Sequence, residues 1–169
     1  MNLFSEQGQF LVGVFGTDGN AATVQGARIL AIDYDEVMVC VHLRPGAGAT
    51  SAQVATITVE ESTLASAGTT RTLTQEQSIL MNGATALTAG TGLSVRTKND
   101  PPASTYVTLA ADGLKEQLVS LPIRVRRMSS GFKYLSAKVT GLTAARIVAI
   151  YYVCNGARYG ADQVSNAYA

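Results

Sequence analysis

The sequence predicts an all-β chain: one antiparallel β-sandwich, jelly-roll-like, of about eight main strands. Three observations predict it. Apolar and polar residues alternate at period two through most of the organised runs, as in strands with one buried face. Clusters of Gly, Pro, Asn and Asp separate those runs, as in sandwiches and barrels. No strong amphipathic helix intervenes, which argues against the strand–helix alternation of a doubly wound α/β fold. The chain has 169 residues, the size of a single domain able to bury a core. It has no internal repeat of fixed period.

Residues 2–9 are polar without a clear period and read as an N-terminal arm (about 1–9) or the lead into the first strand. Residues 10–15 form a short apolar run, interrupted by Gly13 and ended by Gly16-Thr17-Asp18-Gly19-Asn20. Residues 24–32 are the next strand, weakened at its start by Gly26, and Asp33-Tyr34-Asp35 makes a turn. Val37, Val39, Val41 and Leu43 then alternate with Met38, Cys40, His42 and Arg44, until Pro45-Gly46 stops the run. Residues 54–61 alternate Ala55, Ile57 and Val59 with Thr56, Thr58 and Glu60.

Residues 62–103 are a long excursion rich in Ser, Thr, Ala and Gly, with apolar islands at 79–81 and 93–95. A structureless stretch of this length is unusual in a compact domain. One or two short strands or a hairpin are therefore expected, with a helical turn or two over 73–80 as the alternative. Residues 105–110 alternate as a strand, and Asp112-Gly113 is a hairpin-type turn signal. Residues 116–126 follow, and Pro122 marks a break or an edge position.

Residues 133–153 are the stretch that the other strands are expected to pair with and pack against. Leu135, Ala137 and Val139 face one way, and Tyr134, Ser136, Lys138 and Thr140 the other. Gly141 lets the chain turn back, and residues 147–153, apolar on both faces, complete a closing hairpin. A helix over 144–152 competes with this reading but is disfavoured by the β-branched residues and tyrosines. Leu135, Val139, Ile147, Ala149 and Val39 are the expected core. Residues 155–169 form a C-terminal tail with two glycines and little periodicity.

Hydrophobic residues make up 47% of the chain and charged residues 15%, against roughly 25% charged in ordinary soluble domains. Such a chain suits an assembly that covers much of its surface better than a solitary monomer. A net charge of +1 offers no field to draw nucleic acid or an anionic membrane. No apolar run approaches the roughly 20 residues of a membrane helix. The N-terminus lacks the basic start and long apolar core of a cleaved signal, so manufacture and use without secretion is the expectation.

Reactive side chains are sparse. His42 is the one histidine and cannot supply a two-histidine metal site. Cys40 and His42 share a strand face, which makes a Cys–His pair conceivable. Nothing in the sequence marks an elbow, an oxyanion turn or a third orienting group, so no enzymatic activity is expected. Cys40 and Cys154 read as two buried reduced thiols behaving as small hydrophobes. A disulfide between them would need neighbouring strands with Cβ atoms about 4 Å apart. Asp33, Asp35 and Glu36, and Glu60-Glu61, are acidic clusters of the kind that cap backbone amides or face water. A Ca²⁺ site would need six or more oxygens, and no EF-hand spacing or glycine-rich phosphate loop is present. No metal and no cofactor are expected.

Arg124, Arg126 and Arg127 form the one basic cluster, with Arg124 and Arg126 read as sharing a strand face. They read as a solvated face or as a contact with another protein chain; a nucleic-acid surface would usually carry more basic residues. Tyr151, Tyr152, Tyr159 and Tyr168 are candidate interface anchors, because tyrosine buries area and keeps a polar handle. Ordinary core and surface tyrosines are the alternative.

Two stretches carry a resemblance. They are Ile57-Thr58-Val59-Glu60-Glu61-Ser62 with the Ala-Gly-Thr-Thr loop that follows, and Lys133-Tyr134-Leu135-Ser136-Ala137-Lys138-Val139-Thr140-Gly141 with its returning apolar strand. Together they resemble the capsid decoration, or cement, proteins of tailed bacteriophages, small accessory virion proteins with a jelly-roll-like sandwich. The motifs are short, and the long excursion and the tail depart from the pattern. The resemblance implies a structural protein that binds and stabilises the phage head shell. It would sit on the capsid surface of the virion and in the host cytoplasm during assembly. The implied partners are the major capsid protein and copies of itself, a trimer being favoured, without a membrane or direct nucleic-acid contact. Residues 1–9, 62–103 and 155–169 are the expected contact segments. Two other classes stay open. One is another phage structural protein of the tail tube, neck or fibre. The other is a carbohydrate-binding or adhesin sandwich, which usually presents an aromatic platform, whereas this chain has no Trp and 7% aromatics.

Overall fold

The computed structural model describes residues 8–18, 23–46, 54–74, 78–82, 95–99, 105–108, 116–142 and 146–157. Among them the chain is nearly all β. The strands are β1 Gly8–Asp18, β2 Thr23–Gln25, β3 Ile29–Leu30, β4 Tyr34–Pro45, β5 Thr56–Ser62 and β6 Thr70–Thr72. They continue with β7 Ser78–Asn82, β8 Val95–Asn99, β9 Thr105–Val107, β10 Gln117–Arg124, β11 Tyr134–Thr140 and β12 Arg146–Ala157. The first sheet runs β1-β12-β4-β10-β7-β8. The second runs β2-β11-β5-β6, with β3 also on β11 and β9 also on β5. All described pairings are antiparallel.

The period-two pattern explains the packing. Val37, Val39, Val41 and Leu43 of β4 are buried on one face, as are Val148, Ile150, Tyr152 and Cys154 of β12. They meet Ile57 and Val59 of β5 and Leu135, Ala137 and Val139 of β11 in one core between the sheets. Each large apolar side chain so buried contributes about 1.5–3 kcal/mol. Of the expected core, Leu135, Val139 and Val39 lie between the sheets, while Ala149 is buried but stands in the outward row of β12. Ile147 is half-buried, because alternation along β12 turns it away from the inward row that begins at Val148.

The expected closing hairpin is corrected. β11 and β12 lie in different sheets. Both edges of β11 are already taken, by β5 on one side and by β2 and β3 on the other. The chain after Thr140 therefore leaves the second sheet for the first. Gly141 makes the departure at φ +83, with a backbone oxygen, that of Val54, only 2.8 Å from where a Cβ would stand. The Asp112-Gly113 turn itself lies outside the described residues. The strands on either side of it, β9 and β10, also sit in different sheets, so they form no hairpin.

The expected strand over 24–32 is split, and Tyr152 shows why. Between β2 and β3 the regular ladder to β11 lapses after Gly26, whose N–H still donates to Ala137 O at 2.8 Å. The Tyr152 hydroxyl, reaching across from β12, accepts from Ala137 N at 3.1 Å and donates to Ala27 O at 3.0 Å. Two glycines make room for this ring. A Cβ on Gly13 would lie 2.5 Å from Tyr152 Cε2, and one on Gly26 would lie 2.5 Å from its hydroxyl.

The excursion contains the expected hairpin, β7 with β8, and it joins the first sheet beside β10. β6 and β9 pair with successive parts of β5, Glu60–Ser62 and then Thr56–Thr58, so they are two halves of one edge strand with the hairpin inserted between them. Pro122 sits where expected: β10 pairs with β4 over its whole length but with β7 only at Gln117–Ser120. Beyond Ser120, one side of β10 has no partner among the described strands. β1 begins at Gly8 and β12 runs to Ala157, each cutting into the expected arm and tail. No helix among the described residues is long and apolar enough to cross a membrane.

Candidate functional site

Antiparallel pairing brings three separate charge clusters to one end of the sandwich. β4 starts there with Asp33, Asp35 and Glu36 at its turn, β5 ends there after Glu60 and Glu61, and β10 ends there at Arg124. Glu36 stands opposite Arg124 on one side and Asn155 on the other. Arg124 and Arg126 do not share a strand face. The strand stops at Arg124, and Val125–Arg127 form a short 3-10 turn with Val125 buried and both arginines exposed. The β10 strand cannot continue there because the chain must cross to β11.

Glu61 is the buried charge of this end, 2% exposed. Its Oε2 accepts from Ser129 N at 2.8 Å, so it caps the connection between the two sheets, in line with the expected role of turn carboxylates. Beside it a cleft of about 310 Å³ is lined by Glu61, Thr72, Leu73, Thr74, Arg127 and Ser129. Arg71 lies over the Phe132 ring at 5.2 Å, a cation–π contact. Arg28 Nη1 donates to the carbonyls of Leu64 and Ala67, at 3.1 and 3.0 Å, and holds the loop after β5. Among the described residues no group of three or more His, Cys, Asp or Glu is arranged to hold a metal ion; the Asp33 to Glu36 turn is included in that statement.

The tyrosine candidates separate. Tyr152 is fully buried, and burial pushes its hydroxyl well above the ordinary range; it is a core residue and offers no ring to a partner. Tyr151, one residue earlier, faces outward, half-buried, and stacks on Phe10 with centroids 5.5 Å apart. Tyr159 and Tyr168 lie outside the described residues.

Outward from β4 lies the cysteine–histidine pair. His42 Nε2 is 2.6 Å from Glu116 Oε1, the orienting carboxylate that the sequence does not mark, because Glu116 precedes β10 by one residue and meets His42 only through sheet pairing. Cys40 Sγ lies 3.7 Å from Ser120 Oγ. Burial pushes the Cys40 thiol up, against the thiolate that a nucleophile needs. Cys40 is half-buried and not, as expected, fully buried; Cys154 is buried, and both are free. Their strands are neighbours, but Cys40 stands opposite Tyr151 and Cys154 opposite Val37. One thiol faces out and the other in, so no disulfide can join them within the chain.

The sequence places Phe10 and Phe15 at the ends of an apolar run and does not mark them as interface candidates. Both lie on the edge strand β1, 55% and 77% exposed. The signal that could have found Phe10 is its same-parity partner Val12, which stands opposite Tyr151.

The fold and its faces define an all-β sandwich with two antiparallel sheets. No protein-family model matches this chain, and no curated protein and no solved structure matches it.

Proposed function

We propose that this chain is a capsid decoration, or cement, protein, a structural virion protein that binds and stabilises a phage head shell. The observation that carries the proposal is the strand order. With β2 and β3 counted as one broken strand, β6 and β9 as another, and the β7–β8 hairpin set aside, the sheets order as first-eighth-third-sixth and second-seventh-fourth-fifth. That order supports a jelly roll, an architecture common in viral capsid domains. The low charge and the short resemblance noted above support the same reading; the step from fold to shell is one of analogy. In this reading the major capsid protein is the partner, and the protein acts as a homo-oligomer on the capsid surface. It stabilises by mass action, because it binds the assembled shell and not the free subunits.

Shells lacking this protein test the proposal by co-sedimentation. Saturable binding, with a rise in the shell's melting temperature, is the expected result. A chain that never sediments with shells sinks it. A carbohydrate-binding role is the second reading, favoured by the Phe10–Tyr151 stack. Retention on immobilised glycans, abolished by Phe10→Ala, would put it first.

A further inference from the structure

We propose that the outer face of the first sheet packs against the same face of a second copy of this chain. The face is formed by the outward rows of β1, β12, β4 and β10. Phe10 and Val12 come from β1, Tyr151 and Val153 from β12, Met38 from β4 and Leu118 from β10. All six are apolar or aromatic, and each keeps part of its surface in solvent. Around them the outward rows carry three basic side chains, His42, Arg44 and Arg124, and an acidic one, Glu36, which stands opposite Arg124. His42 is tied to Glu116 at 2.6 Å. Arg44 stands at the margin, next to the last residue of β4.

Three features select a second copy as the occupant. The first is charge. A face with almost no net charge does not repel itself, and an isologous contact sets like against like. The second is area. β4 and β12 have 12 residues each and β1 has 11. At about 3.4 Å per residue and about 4.8 Å between strands, four strands offer roughly 700 Å². A stable complex buries about 800 Å² per partner. The third is shape. A sheet face of this kind packs on another at about 10 Å with the strands nearly aligned, the same way the two sheets of this chain pack. An aromatic stack sits at the β1 edge, where a partner would complete the burial of Phe10.

This inference concerns the free chain and does not rest on shell binding. It also replaces the trimer with a dimer or a multiple of one, because the contact is two-fold.

The test uses the purified full chain. Sedimentation velocity should give a two-chain mass, or an even multiple, at roughly micromolar concentration, the weak end of the range for contacts of this size. Val153→Lys and Met38→Lys should each weaken association at least tenfold, while Thr58→Lys, on the outer face of the other sheet, leaves it unchanged. The wild-type chain supplies a second readout that needs no variant. Cys40 lies in the centre of the face, so its reaction with a water-soluble thiol reagent should slow at least tenfold as concentration rises through the dissociation constant. A single-chain or three-chain mass at every concentration overturns the proposal. So does Val153→Lys at full association, or a Cys40 reactivity independent of concentration. A chain that is single throughout but loses shell binding on Val153→Lys also overturns it, and assigns the face to the shell.

Discussion

The two sheets are alike where they face each other and unlike where they face out. Inside, both present rows of Val, Ile and Leu. Outside, the second sheet carries Thr56, Thr58 and Glu60 on β5 and Lys138 and Thr140 on β11. Lys138 lies 3.8 Å from Glu60, and Gln25 donates to Ser136 at 3.0 Å. That face is built for water, as one side of an antiparallel sheet commonly is. The first sheet presents Met38, Leu118, Tyr151 and Val153 outward instead. The inner rows decide that the chain folds as a sandwich; the difference between the outer rows is where a role in assembly is written.

The largest expected effect comes from two adjacent tyrosines on opposite sides of the first sheet. Tyr152→Ala removes a fully buried ring and its two bonds to the second sheet, and should cost about 3–5 kcal/mol. Tyr151→Ala should cost the single chain under about 1 kcal/mol. Urea unfolding of dilute protein measures both, and equal losses would break the division into inner and outer rows.

The pH dependence sharpens the same division. Burial raises the Cys154 thiol from 9.0 to about 12 and the Tyr34 hydroxyl from 10.0 to about 12. Both groups are neutral when protonated and are held so in the fold. Their contribution is full below about pH 9. It falls as pH rises from 9 to 12, because the unfolded chain loses those protons first. The slope should reach about 1.4 kcal/mol per pH unit for each group. Melting curves from pH 8 to 11 check this, and Cys154→Val should make the loss between pH 9 and 10 shallower, leaving there the contribution of Cys40, with Tyr34 and Tyr152 adding theirs from pH 10. A curve that Cys154→Val leaves unchanged would mean that the inward thiol is not desolvated.

The smallest contrast is between Glu61 and its neighbour. Glu61→Ala leaves the Ser129 amide without its acceptor and should cost about 1–3 kcal/mol. Glu60→Ala, on the water-facing side, should stay within about 0.5 kcal/mol. Thermal unfolding at neutral pH separates the two; a matched pair of shifts would remove Glu61 as the cap between the sheets.

What the sequence determined by itself was local. Alternation in β4, β5 and β11 is a property of each run, since neighbouring side chains on a strand point to opposite faces. It was enough to find most of the strands, most of the core, Pro122 as a break or an edge position, and the presence of short strands or a hairpin in the excursion. The candidate site was legible as separate pieces: Asp33 to Glu36, Glu60-Glu61 and Arg124 to Arg127. Their meeting at one end was not, because it depends on which strands pair. Tertiary structure decided the rest. β12 is apolar on both faces, so alternation could not choose its inward row, and Ile147 was placed inside where Val148 belongs. The apparent hairpin after Gly141 became a crossing because β11 had no free edge left. Gly13 and Gly26 read as weak points in strands until Tyr152, more than 120 residues away along the chain, proved to occupy the space that their missing side chains leave. These are non-local contacts, and a pattern confined to one run of residues carries no information about which distant run will meet it.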